Sequence, residues 1–111
     1  MSSQTFIGID VSKDELEVFF LSNGERQTTP NTGEGVASLI PALRSAGPAL
    51  IVLEATGGLE KQAVEGLTSA GFSVAVANPR QVRDFAKAKG ILAKSDPLDA
   101  RVLALFGEAI R

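Results

Sequence analysis

The chain has no cysteine, histidine, tryptophan or tyrosine, and only one methionine. Without cysteine there is no disulfide and no thiolate chemistry. Without histidine there is no His-based triad, no zinc site of the usual kind and no haem held through His. Polar catalysis therefore falls to carboxylates, lysines and hydroxyls. A bound metal would have oxygen ligands, which favours Mg²⁺ or Mn²⁺. Long apolar runs are missing too. None approaches the ~20 residues that span a bilayer, so no membrane partner is expected. The first residues, Met1-Ser2-Ser3-Gln4-Thr5, lack the basic start of a signal peptide. The expected compartment is the cytoplasm.

What remains is enough for one globular domain: 111 residues, 44% of them hydrophobic. The net charge of −2 is unevenly spread. Residues 1–78 carry four basic and nine acidic side chains, net −5, whereas residues 79–111 carry seven and four, net +3. A basic third beside acidic residues suits a surface that handles phosphodiesters. It also suits ordinary solvated helix surface.

Hydrophobic runs and turn residues give the order of elements. Phe6–Val11 is a short apolar run with β-branched residues, the pattern of a buried strand. Glu15–Leu21 reads as a second strand, with Glu17 marking its exposed side. Asn23-Gly24 is a hairpin signal, and the polar segment Arg26–Thr29 completes a meander as an edge strand. A helix is expected over Glu34–Ser45, either kinked at Pro41 or starting there in earnest. Ala49–Leu53 is continuously apolar, as in a strand covered on both faces. Leu59–Ala70 reads as an amphipathic helix and Phe72–Ala77 as a strand. Asn78-Pro79 is a cap followed by a first helical residue, opening a helix that ends before Gly90. The last helix is expected from Pro97 onward. Three meander strands followed by strand–helix alternation predict an α/β domain, a mixed five-stranded sheet with helices on both faces, in the order of the ribonuclease H fold. The final helix is apolar nearly all round, from Val102 to Ile110, which predicts burial on more than one side. This implies either a fragment of a longer protein or a homo-oligomer through that helix.

Four acids stand out. Asp10 and Glu54 come at the ends of apolar strands, where unpaired charge is costly. Asp96 and Asp99 lie three apart at the expected helix start, close enough to repel unless a cation or a proton intervenes. Together they form a candidate oxygen cluster for two divalent ions at a phosphoryl-transfer site. Each also has a plainer reading: strand-end carboxylates in solvent, and a capping arrangement in Asp96-Pro97-Leu98-Asp99. Arg80, Arg83 and Lys87 follow one face of the 79–89 helix, and Lys89, Lys94 and Arg101 flank the aspartate pair. With Lys13, they are candidate phosphate contacts that hold nucleic acid without reading bases.

Four pieces are similar to one family: Ile7-Gly8-Ile9-Asp10-Val11-Ser12-Lys13, Leu53-Glu54-Ala55-Thr56-Gly57, Asn78–Ala86 and Lys94-Ser95-Asp96-Pro97-Leu98-Asp99-Ala100. In this order they resemble the N-terminal domain of DEDD transposases, the insertion-sequence family that includes the Piv-type DNA invertases. The resemblance implies a RuvC-like ribonuclease H fold, with Asp10, Glu54, Asp96 and Asp99 as a catalytic tetrad binding Mg²⁺ or Mn²⁺. It implies DNA as substrate and, in many members, a structured bridge RNA as guide. It also implies a C-terminal domain with a nucleophilic serine, expected to lie outside these 111 residues. Pro97 stands where the family often has a polar or basic residue. Three other readings compete: a stand-alone RuvC-like nuclease or resolvase, a non-catalytic nucleic-acid-binding and oligomerisation module, and half of an actin-like sugar kinase. The last arises because Ile-Gly-Ile-Asp-Val also opens a phosphate hairpin there.

Overall fold

A computed structural model describes residues 4–91 and 98–111. The central strand is β1 (Thr5–Val11). Strands β2 (Glu15–Phe20) and β3 (Arg26–Pro30) follow it as antiparallel neighbours. The turn between them forms at Asn23-Gly24, where Gly24 takes φ 76° and the Asn23 side chain accepts from the Glu25 amide at 2.9 Å. After α1 (Gly33–Ser45) the chain returns as β4 (Ala49–Glu54), parallel to β1. After α2 (Lys61–Ser69) it adds β5 (Ser73–Ala77), parallel to β4. The sheet order is β3-β2-β1-β4-β5. Two further helices, α3 (Pro79–Ala88) and α4 (Ala100–Ile110), complete the described residues. The expected mixed five-stranded α/β sheet is therefore present, with four helices among the described residues. None of those helices is long and apolar enough to cross a membrane.

Strand alternation sorts the core onto two faces. Ile7, Ile9 and Val11, with Leu16, Val18, Phe20, Ile51 and Leu53, pack against Val36, Leu39 and Leu43 of α1 and Ala63 and Leu67 of α2. On the other face Leu50 and Val52 meet Val82 and Ala86 of α3 and Val102 and Leu103 of α4. Phe19 packs there with Ala100 and Ala104. Helix α4 lies very close to the sheet. A β-carbon on Gly8 would fall on the Ala100 carbonyl oxygen, and one on Gly107 would sit 2.6 Å from Val52 Cγ2.

Two expectations change, and the expected burial of the last helix on more than one side is met. Helix α1 starts at Gly33, capped by the Thr32 hydroxyl on the Gly35 amide, and runs on through Pro41. Pro41 and Ala37 are both exposed, so the carbonyl that loses its intrahelical donor at Pro41 lies on the water-facing side. Helix α4 starts at Ala100 rather than Pro97, because Asp99 is its N-cap. Its apolar circumference is mostly satisfied inside the domain, by β1, β2, β4 and α3. Phe106, for example, meets Phe85 edge to face, with ring centroids 5.5 Å apart.

Candidate functional site

Ile9 pairs with Leu53 across the parallel β1–β4 ladder, so Asp10 and Glu54 follow side by side at the C-terminal ends of the two strands. Asp10 lies two residues beyond Gly8, which faces α4, and Glu54 two beyond Val52 in the α3–α4 core. Both carboxylates therefore belong to the α4 side of the sheet. The carboxyl edge of parallel strands is where α/β sheets bind ligands. Helix α4 runs back over β1, with Ala100 above Gly8 and Gly107 above Phe6 and Val52. Its start brings Asp99 to the same edge. Its far end is tied down by Arg111, which donates to Gln4 Oε1 at 2.8 and 3.1 Å.

The edge concentrates negative charge. Burial pushes the half-buried Asp10 carboxyl above its ordinary value, and the charges of Glu17 and Asp99 push it further. Burial and then Asp10 do the same to Glu54, while the Arg83 guanidinium pulls the other way. In the sequence Glu17 marks only the exposed side of its strand. It pairs with Asp10 in the antiparallel register, so the two like charges lie directly across the ladder. Arg26 relieves Glu17 from the other side at 3.9 Å and lies over the Phe19 ring at 4.8 Å.

Asp99 does cap, but as the N-cap itself and not three residues into the helix: its Oδ1 accepts from the Val102 amide at 2.9 Å. Asp96 and Lys94 lie outside the described residues. Asp10 and Glu54 open onto different hollows. One of about 180 Å³ is lined by Asp10, Ser12, Glu15, Glu17 and Thr28. The other, of about 380 Å³, is lined by Glu54, Ala55, Pro79, Arg80, Arg83 and Leu98. Arg80 and Arg83 thus share a hollow with Glu54. Lys87 and Lys89 are exposed further along and past α3, Lys13 is exposed in the β1–β2 turn, and Arg101 is exposed in the first turn of α4. Among the described residues, no three acidic side chains stand close enough to hold one ion. Mg²⁺ is a hard cation commonly held by one or two carboxylates and completed by substrate phosphates, and carboxylates are the donor type that Asp10 and Glu54 supply.

One residue of this region escaped the reading of the sequence. The Glu60 carboxylate accepts from the Thr56 amide (3.0 Å), the Thr56 hydroxyl (2.9 Å) and the Gly58 amide (3.1 Å). The Thr56 amide is the largest of the influences that bring the Glu60 pKa down to about 2. The carboxylate closes the loop that leaves Glu54, where Gly57 and Gly58 both have positive φ, 73° and 114°. Its only trace in the sequence is an acid four residues after Thr56, at the mouth of a helix.

A family model for transposases, of the DEDD type of IS110 elements, matches residues 7–110. The chain belongs to the DEDD transposase family. Relatives of this transposase domain include the pilin gene-inverting proteins of Moraxella lacunata and Moraxella bovis. Each is 29% identical over 111 residues, covering 95% of this chain. The chain spans about a third of their length, 34%. Among solved structures, the transposase domain is similar to the inorganic polyphosphate/ATP-glucomannokinase of Arthrobacter sp. strain KM, with a TM-score of 0.55 and 16% identity. The match covers 85% of this chain and 52% of the kinase. That likeness is one of fold. It carries no kinase activity over to this chain, whose family match is to transposases.

Proposed function

We propose that this domain has a RuvC-like ribonuclease H fold and serves as the metal-dependent catalytic domain of a DNA recombinase or transposase. The observation that carries the reading is the placement of Asp10 and Glu54. They are half-buried and adjacent at the carboxyl ends of parallel strands, with the charge of Asp99 acting on Asp10 from the start of α4. Asp10, Glu54, Asp96 and Asp99 would hold Mg²⁺ or Mn²⁺, which stabilises the attacking and leaving oxygens of a phosphoryl displacement. Arg80 and Arg83 bring positive charge into the hollow that Glu54 lines, and Lys87 extends it along α3. Lys13, Lys89, Lys94 and Arg101 serve as further phosphate contacts around the acids. In the whole protein, a C-terminal domain with the nucleophilic serine and a bridge RNA would complete a cytoplasmic recombination complex on DNA.

Crystals of the domain soaked in Mn²⁺ test this directly. An anomalous peak is expected between Asp10, Glu54 and the 96–99 segment, lost on Asp10→Ala. No peak, or recombination by full-length Asp10→Ala at the wild-type rate, overturns the catalytic reading. Salt-dependent RNA or DNA binding that survives loss of the carboxylates would then favour the binding-module reading, for which the basic residues of α3 speak.

A further inference from the structure

The two acid-bearing strands end in separate loops, and one side chain ties those loops together. Asn31 lies between β3 and α1, in a stretch that reads in the sequence simply as a break. Its Nδ2 donates to the Ser12 carbonyl at 2.9 Å and to the Leu59 carbonyl at 3.2 Å. Ser12 is two residues after Asp10, and Leu59 is five after Glu54. The Asn31 amide also donates from the backbone, to the Asp14 carbonyl at 2.9 Å. One residue therefore holds the β1–β2 turn by both main chain and side chain, and reaches across to the loop after β4.

Both loops are stiff where Asn31 grips them, so the bridge can transmit position. The Ser12 hydroxyl donates to the Glu15 carbonyl at 3.0 Å and accepts from the Glu15 amide at 3.1 Å, closing the first loop. Glu60 closes the second through Thr56 and Gly58. The amide's orientation follows from its partners: turned over, its oxygen would face two carbonyl oxygens. In the orientation present, Oδ1 is buried and has no hydrogen-bond partner among the described residues. Burying an acceptor unpaired is costly, so the side chain is kept for its two donors.

We infer that Asn31 is a positioning residue that fixes Asp10 and Glu54 relative to each other by clamping the loops behind them. The inference rests on the reading of that pair as metal ligands. Groups that brace metal ligands from behind change affinity without touching the ion.

The test titrates the 111-residue chain with Mn²⁺, following the free ion by electron paramagnetic resonance, at a temperature where circular dichroism shows each variant folded. Asn31→Ala removes both donors and is expected to raise the Mn²⁺ Kd about tenfold. Asn31→Asp keeps the shape but sets a carboxylate against two carbonyls. It is expected to raise the Kd at least as much, and it carries the test should Asn31→Ala not fold. Arg44→Ala is the control. It removes a tether to the Ala70 carbonyl (3.1 Å) and stacking on Phe72, at the opposite end of the sheet. It is expected to lower Tm with an unchanged Kd. A wild-type Kd in folded Asn31→Ala or Asn31→Asp overturns the inference and leaves the metal reading standing. Mn²⁺ binding that is absent in the wild type, or indifferent to Asp10→Asn, overturns the metal reading and the inference with it.

Discussion

The two faces of the sheet are built on different terms. The α1–α2 face is an ordinary apolar seam, with large branched side chains from three strands interlocking with Leu39, Leu43 and Leu67, all fully buried. The α4 face gains its closeness from small residues. Gly8, Ala100, Ala104 and Gly107 let the helix backbone settle almost onto β1. Each face meets a different constraint. The first stores stability in buried area, about 25 cal/mol per Å² of apolar surface removed from water. The second gives up side-chain volume so that a helix start can reach the sheet edge where Asp10 and Glu54 lie. It also carries like charges in close register, Asp10 opposite Glu17 and beside Glu54.

The sharpest way to break this contrast is Gly8→Ala. The added methyl meets the Ala100 carbonyl, which is backbone and cannot turn aside. Urea unfolding is expected to show a loss of about 3 kcal/mol. Amide hydrogen exchange is expected to speed throughout α4 while α1 keeps its protection. Leu39→Ala on the other face is the comparator. A loss of similar size, about 3 kcal/mol, is expected there with α4 still protected.

Charge at the edge gives a smaller effect of opposite sign. Asp10 and Glu54 both titrate above their ordinary values of 3.8 and 4.5 when folded. The folded chain therefore holds protons that the unfolded chain releases, and stability falls as pH rises through the raised values. Asp10→Asn is expected to remove its part of that slope. In metal-free buffer at pH 7 it should stabilise the domain by about 0.5 kcal/mol, the scale of like charges facing across strands. A thermal melt series from pH 3.5 to 7 checks both the sign and the disappearance of the slope.

Glu60→Gln is expected to have an effect of similar size to Asp10→Asn and of opposite sign. The Glu60 pKa lies at about 2 against an ordinary 4.5, so its contribution is present above the ordinary value and lost as pH falls from about 4.5 towards 2. The group faces solvent, which limits the loss to about 0.5 kcal/mol at neutral pH. Melts of the wild type and of Glu60→Gln are expected to converge near pH 2.

The strand order was legible in the sequence because β1, β2, β4 and β5 are compact apolar runs and the polar β3 follows a hairpin signal. Asn23-Gly24 and Asn78-Pro79 marked their boundaries by local stereochemistry alone. The start of α4 was not legible. Asp96 and Asp99 are both N-cap residue types, three residues apart, and the choice of Asp99 goes with the close packing of Ala100 on Gly8, a contact that sequence does not show. The adjacency of Asp10 and Glu54 followed from the expected parallel pairing of their strands. The pairing of Glu17 with Asp10 was not legible because a partner across the ladder is invisible until the register is known. Asn31 and Glu60 were missed for a related reason. Asn31 acts through backbone carbonyls of two other loops and Glu60 largely through backbone amides of its own, and hydrogen bonds to main chain leave no mark on the identity of the residues that make them.

The parallel pairing of β1 with β4 carries a consequence for how the chain assembles. Thr5 aligns with Ala49 only after β2, β3 and α1 have been laid down between them. Closing so long a segment is slow, and the local meander has time to form first. The repulsion between the two carboxylates arises only once the apolar ladder beneath them has zipped. The unfavourable electrostatics therefore come late in folding, and relieving them is expected to slow unfolding more than it speeds folding.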